Sequence, residues 1–110
     1  VQMARLLGAA QVIATVGSAA NAQVAHDAGA HRVLNYRTDD VAAGVLAATG
    51  GRGVDRIVEL DLAANAAIDL ACIRPEGRLV VYGSGQHVMG VPFGPAIVKN
   101  VAWRTMMVYT

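Results

Sequence analysis

QVIATVGSAANAQVAHDAGAHRVLNYR, residues 11–37, is the stretch whose reading decides the fold. Residues 12–16 (VIATV) lack polar alternation, the pattern of a parallel strand covered on both faces. Gly17 ends that strand, and the Ser18 hydroxyl is placed to accept a bond from a free backbone N–H of a following helix. Val24, Ala25 and Ala28 give this helix a modest apolar stripe, and Gly29 stands where a left-handed stop is wanted. A second short strand, 32–35, comes next. Strand, turn, helix and strand at this spacing form a βαβ unit, and such units place ligands at the carboxyl ends of their strands. A nucleotide bound there would bring its ribose to Gly17, Ser18 and Tyr36.

Downstream the alternation continues. Thr38-Asp39-Asp40 caps a helix reaching about Thr49, with Val41, Val45 and Ala48 at helical spacing and two early carboxylates at its positive end. Gly50-Gly51-Arg52-Gly53 breaks it. A third strand is expected over 54–60 (VDRIVEL), then an alanine-rich helix over 63–73 that Pro75 and Gly77 terminate. A fourth strand, fully apolar, covers 79–82, and the glycine and proline content of 83–95 marks a loop. A short turn of helix is expected over 96–99 and a fifth strand over 101–109 (VAWRTMMVY). Strands alternating with helices of this length indicate an α/β, Rossmann-type doubly wound parallel sheet. Upstream, residues 1–7 read as the end of a helix stopped by Gly8, with no strand before it. In the strand order 3-2-1-4-5-6 that first strand is the central one. The sheet is therefore expected to be incomplete, lacking its first strand and leaving a gap beside 12–16. The chain reads as a fragment of a longer protein.

The totals exclude several classes. At 55% hydrophobic and 15% charged residues, the chain is not a disordered tail. A net charge of +1 argues against nucleic acid or an anionic membrane surface as main partner. No apolar run approaches the roughly 20 residues that span a bilayer. The one cysteine, Cys72, excludes an internal disulfide and fits a reducing, cytoplasmic compartment. It lies with Ile68 on the apolar side of its helix and reads as a buried, inert thiol. His26, His31 and His87 have no ligand-like spacing and no cysteine partners, so no zinc is expected in this segment. Asp61 reads as a solvated loop carboxylate.

Read in order, QMARLLGA, ATVGS, AHDAGAHRVLNYRTDD, TGGRGVD, VDRIVEL, PEGRLVVYGSG and VAWRTMMVY resemble the coenzyme-binding domain of medium-chain dehydrogenases/reductases, specifically the quinone oxidoreductase branch that includes zeta-crystallin. The resemblance spans the whole chain. It implies that Gly17 and Ser18 form the turn against the adenosine ribose and its 2′-phosphate, and that Tyr36 approaches the same phosphate. NAD-preferring relatives carry an acidic side chain at this strand end. Val16-Gly17-Ser18 offers none, which favours NADPH over NADH. Asn21 stands where some quinone reductases carry a lysine for the phosphate, a departure that weakens the site. Asn65 matches a family asparagine near the coenzyme. Tyr82, Gly83, Ser84 and Gly85 match the loop lining the nicotinamide half, and Thr105, Met106 and Met107 match last-strand residues that approach it.

The resemblance also places a glycine-rich phosphate turn and a barrel-like catalytic domain before Val1, both outside this chain. Gly83-Ser84-Gly85 does not replace that turn, because the next glycine is Gly90 and a loop follows. The implied activity of the parent is hydride transfer from NADPH to a quinone or activated enone, with no catalytic residue in this segment and negligible turnover by the segment alone. A zinc-dependent alcohol dehydrogenase and a non-catalytic, crystallin-like structural protein are the alternatives. Trp103 and Tyr109 alternate with Val101, Thr105 and Met107 on one face of the last strand, which is either core or an association surface. The family's edge strand pairs with its copy in a second subunit. A homodimer is accordingly expected through the apolar strand from Val101 to Tyr109, which has no proline or lysine to protect it.

Overall fold

A computed structural model describes residues 1–83 and 90–105. The chain divides into two compact units, Val1–Ala48 and Thr49–Thr110. The first contains α1 (Gln2–Leu6), β1 (Ile13–Val16), α2 (Ala19–Asp27), β2 (Arg32–Asn35) and α3 (Val41–Ala48). The second contains β3 (Val54–Glu59), α4 (Leu62–Cys72), β4 (Ile73–Val81), α5 (Phe93–Lys99) and β5 (Ala102–Thr105). All strand pairs are parallel, and they form two sheets, β1-β2 and β3-β4-β5. This is the α/β, Rossmann-type pattern.

In the first unit β1 and β2 pair from Ile13↔Arg32 to Val16↔Asn35. Ser18 caps α2 as expected, its Oγ accepting from the Asn21 backbone N–H at 3.1 Å. The helix stops before Gly29, whose φ is +105°. Two expectations need correction. No residue of β1 is buried, because β1 has a strand neighbour on one edge only among the described residues. Val24 is exposed, and α2 packs through Ala25 instead. The two carboxylates before α3 also divide their work. Asp40 Oδ1 accepts from Ala43 N at 3.1 Å, a true cap, whereas Asp39 Oδ2 accepts from Asn35 N at 2.7 Å and pins the end of β2. The α1 segment buries nothing. It is tied down by Arg5, whose Nη1 donates to the Gly29 carbonyl at 2.7 Å.

The second unit holds the better core: Leu62, Ala66, Leu70, Ile73, Leu79 and Val81, with Leu70, Ile73 and Leu79 fully buried. Burying each of those three side chains is worth about 2 kcal/mol. Ile68, expected beside Cys72 on the buried face, is instead part-exposed. The inward face of α4 runs through Leu62, Ala66, Asp69 and Leu70. Cys72 is buried as expected. Pro75 and Gly77 do not separate α4 from a later strand, since β4 begins directly at Ile73. Its pairing with β3 steps from Val54↔Ile73 to Arg56↔Arg78, so residues 74–77 bulge out of the ladder with Glu76 at φ 64°. The helix α5 starts three residues before the expected turn, at Phe93. Pro95 is tolerated because first-turn N–H groups have no helical partner. Asp61 stands at the N-cap position of α4, half-buried rather than fully solvated, and its side chain makes no capping bond. Strand β5 is an edge strand, exposed along Ala102–Thr105, and Trp103 lines a shallow hollow with Phe93, Ile97 and Val101. The rest of the expected fifth strand, together with His87, lies outside the described residues.

Candidate functional site

Residues expected at a coenzyme gather at the carboxyl ends of the strands in each sheet. In the first unit the register Val16↔Asn35 puts Gly17 and Tyr36 side by side, and Tyr36 N donates to Val16 O at 3.0 Å. A Cβ at Gly17 would collide with the Tyr36 hydroxyl and lie 2.8 Å from its Cζ, so the absence of a side chain at Gly17 seats the ring. The ring is 58% exposed and available to a ligand. The Arg37 guanidinium carbon lies 5.7 Å from its centroid, within cation–π range. Ser18 accepts the capping bond and keeps its hydroxyl proton to donate. Both nearby carboxylates, Asp39 and Asp40, accept backbone N–H bonds, and the Gly17-Ser18 turn carries none. An open aromatic ring, a guanidinium and a turn without a carboxylate suit a phosphorylated ribose.

In the second unit Glu59 pairs with Val81, and Val81 with Thr105, so Tyr82, Gly83 and Thr105 lie at one end of β3-β4-β5. Tyr82 N donates to Glu59 O at 3.1 Å, and Leu62 N to Gly83 O at 3.3 Å. A Cβ on Gly83 would collide with the Leu60 carbonyl, so only glycine lets the β4 exit lie this close to the β3–α4 turn. Asn65 is in the first turn of α4, where its Nδ2 donates to Glu59 Oε2 at 3.0 Å. Its amide oxygen takes no part in that bond. Ser84, Gly85, Met106 and Met107 lie outside the described residues.

The same end holds a buried carboxyl pair, Glu59 and Asp69, each 6% exposed. Burial opposes ionisation of Glu59, but hydrogen bonds from Asp69, Asn65, and the backbone at Asp61 and Leu60 outweigh it and hold its carboxyl below the usual range. Asp69 goes the other way: burial, followed by the hydrogen bond to Glu59 and its charge, pushes it up to about 9. Asp69 is thus the protonated partner and Glu59 the carboxylate. The sequence singles out Asn65 and gives no direct sign of Arg37, Glu59 or Asp69, which the structure places beside the expected residues. The available signal was Asn65 and Asp69 at i and i+4, a polar pair on one face of an otherwise apolar helix.

The sequence model of the zinc-binding dehydrogenase family matches residues 1–110. The chain is 36% identical over 110 residues to a 2-haloacrylate reductase of Burkholderia sp., covering all of this chain and 32% of that protein. It is 38% identical over 105 residues to a quinone oxidoreductase of Salmonella typhimurium, covering 94% of this chain and 32% of that protein. Among solved structures, an alcohol dehydrogenase from Thermotoga maritima superposes with a TM-score of 0.85 at 30% identity, over 100% of this chain and 32% of that one. The chain belongs to the medium-chain, zinc-binding dehydrogenase family and corresponds to its nicotinamide-coenzyme-binding domain. It spans about a third of the length of the relatives it matches. Among the described residues no group of three or more His, Cys, Asp or Glu side chains is arranged to hold a metal ion, and no helix is long and apolar enough to cross a membrane.

Proposed function

We propose that this chain is the NADPH-binding domain of an oxidoreductase that reduces a quinone or an activated enone, its substrate domain being supplied by a further part of the protein. The observation that carries the reading is the Gly17-Ser18 turn: it has no carboxylate to bond ribose hydroxyls or repel a 2′-phosphate, and the Tyr36 ring lies against it with the Arg37 guanidinium over that ring. The bound coenzyme supplies the hydride. The residues of this chain bind and orient it. In this reading Ser18 donates to the ribose phosphate, and Tyr36 and Arg37 flank that phosphate. Asn65, Tyr82, Gly83 and Thr105, with Ser84, Gly85, Met106 and Met107, border the nicotinamide half. None of them is assigned a proton-transfer step. The single, buried cysteine suits work in the cytoplasm, and β5 pairs with its copy in a homodimer.

Two titrations of the full-length protein test this. NADPH is expected to bind at least tenfold tighter than NADH, and NADPH is expected to be oxidised on addition of 9,10-phenanthrenequinone. Tighter NADH binding would overturn the coenzyme assignment. A second reading, a zinc-dependent alcohol dehydrogenase, is favoured by the Thermotoga maritima match over the whole chain. Alcohol oxidation abolished by a zinc chelator, without quinone reduction, would establish it instead.

A further inference from the structure

We infer that Glu59 and Asp69 share one proton and that this bond holds the β3–α4 turn in the form that receives the coenzyme, making Asp69 a positioning residue. The inference rests on the coenzyme reading above, but its geometry is independent of it. Glu59 Oε2 accepts two bonds from the turn, Asp61 N at 2.9 Å and Asn65 Nδ2 at 3.0 Å. The Glu59 backbone carbonyl takes the Tyr82 N–H, and Leu62 N reaches Gly83 O. One carboxylate therefore organises the residues that join the turn to the β4 exit. Asp69, one α-helical turn beyond Asn65 and buried like Glu59, is hydrogen-bonded to that carboxylate.

Asp69 is buried, and its Oδ2 has no hydrogen-bond partner among the described residues. An ionised Asp69 would leave that oxygen unsatisfied beside a second buried carboxylate, a costly state. A protonated Asp69 resolves both problems, since its hydroxyl donates to Glu59.

The charged and titratable neighbours do not substitute for it. Asp61, at the start of α4, meets Glu59 through its backbone N–H. The Cys72 thiol, pushed by burial up to about 11, is neutral through the range that matters and donates to the Asp69 carbonyl rather than to its carboxyl. Lys99 of α5 is committed to the carbonyls of Leu70 and Ile73. The neighbouring part of β4, Leu79 and Val81, is apolar.

The test is NADPH binding by the full-length protein, followed by fluorescence from pH 7 to 10.5 in wild type, Asp69→Asn and Asp69→Leu. Asn keeps a donor toward Glu59 at every pH, and Leu has none. At pH 7.5 Asp69→Leu is expected to weaken NADPH binding about tenfold and Asp69→Asn to restore it to within twofold of wild type. Above pH 9 wild-type affinity is expected to fall while that of Asp69→Asn holds. Unchanged binding by Asp69→Leu, or parallel alkaline losses in wild type and Asp69→Asn, would overturn the inference. If Asp69→Leu does not fold, the wild-type and Asp69→Asn profiles decide alone. If the wild type binds neither NADPH nor NADH, the proposed function fails instead. The shared proton is then read from hydrogen exchange of the Asp61 amide in wild type and Asp69→Asn. Exchange that accelerates above pH 9 beyond its intrinsic rate only in wild type supports it, and equal protection in both overturns it.

Discussion

Lys99 of α5 delivers its ammonium group to the end of α4, with Nζ 2.7 Å from the Leu70 carbonyl oxygen. The same nitrogen lies 2.7 Å from Ile73 O and 3.4 Å from Ala71 O. These are the carbonyls that a helix C-terminus leaves without intrahelical partners, at the negative end of its dipole. A charged side chain from another element here replaces a glycine cap, and it fastens α5, which buries no residue of its own, to the core helix. Replacing Lys99 by Met keeps the aliphatic stem and removes the donors. It is expected to lower the unfolding free energy by about 2 kcal/mol, the range for hydrogen bonds to charged groups. Urea unfolding of the full-length protein measures this, and an unchanged midpoint would show the cap to be idle.

The carboxyl pair makes stability depend on pH in a direction opposite to that of ordinary salt-bridged acids. Unfolded, Asp69 releases its proton near 3.8; folded, it keeps it to about 9. Between those values the folded state holds a proton that the unfolded state has lost. Its stabilising contribution is therefore complete below about pH 4 and declines as pH rises toward 9, by at most about 1.4 kcal/mol per pH unit for one proton. Glu59, held below its usual range, has the reverse dependence and loses its contribution only in acid, below about 4.5. Asp69→Asn carries no proton to release. Between pH 5 and 8.5 the wild type is expected to lose on the order of 3 kcal/mol relative to Asp69→Asn. Denaturant unfolding at the two pH values measures it, and parallel behaviour would show that Asp69 is already ionised at neutral pH.

The local rules carried most of the fold because most of its elements are set locally. Ser18, Gly29 and Asp40 act where capping chemistry places them, and the alternation of strands and helices gives the parallel pairing directly. The mistakes fall where a residue's partner is distant in sequence. Ile73 enters β4 at once because it pairs with Val54, and no local signal distinguishes that from a loop held by Pro75 and Gly77. Val24 looks apolar enough to be buried, but among the described residues the sheet that α2 packs on has two strands, and Ala25 is the residue of α2 buried there. At the candidate site, the closeness of Gly17 and Tyr36 was legible because they follow paired strand ends. Asp69 was not, since its role depends on a carboxylate ten residues away whose burial the sequence does not state.

The ribose end offers a substitution that separates charge from folding. Ser18→Asp keeps an N-cap of equal quality, so α2 should be undisturbed. It also sets a carboxylate at the turn where the proposed 2′-phosphate would sit, next to Gly17, against which the Tyr36 ring lies. NADPH affinity is expected to fall more than tenfold, with NADH affinity held or improved and the melting temperature unchanged. Fluorescence titration with both coenzymes reads the ratio directly. Equal losses for the two would mean that the turn contacts a part of the coenzyme that they share.

The proposed homodimer has a physical motive in β5. Its four described residues are exposed, among the described residues it pairs with β4 alone, through Arg78↔Ala102 to Val81↔Thr105, and Trp103 is 38% exposed. Phe93, Ile97 and Val98 of α5 add further exposed apolar surface beside it. An apolar edge strand of this kind invites another strand, and natural edges are protected by lysine placed on them. Trp103→Lys supplies that protection at the centre of the strand. The full-length wild type is expected to run as a dimer in light scattering at micromolar concentration, and Trp103→Lys to shift the population toward monomer. Melting should stay cooperative, because the buried core of Leu62, Leu70, Ile73 and Leu79 does not include Trp103. A wild-type monomer at that concentration would remove β5 as an interface.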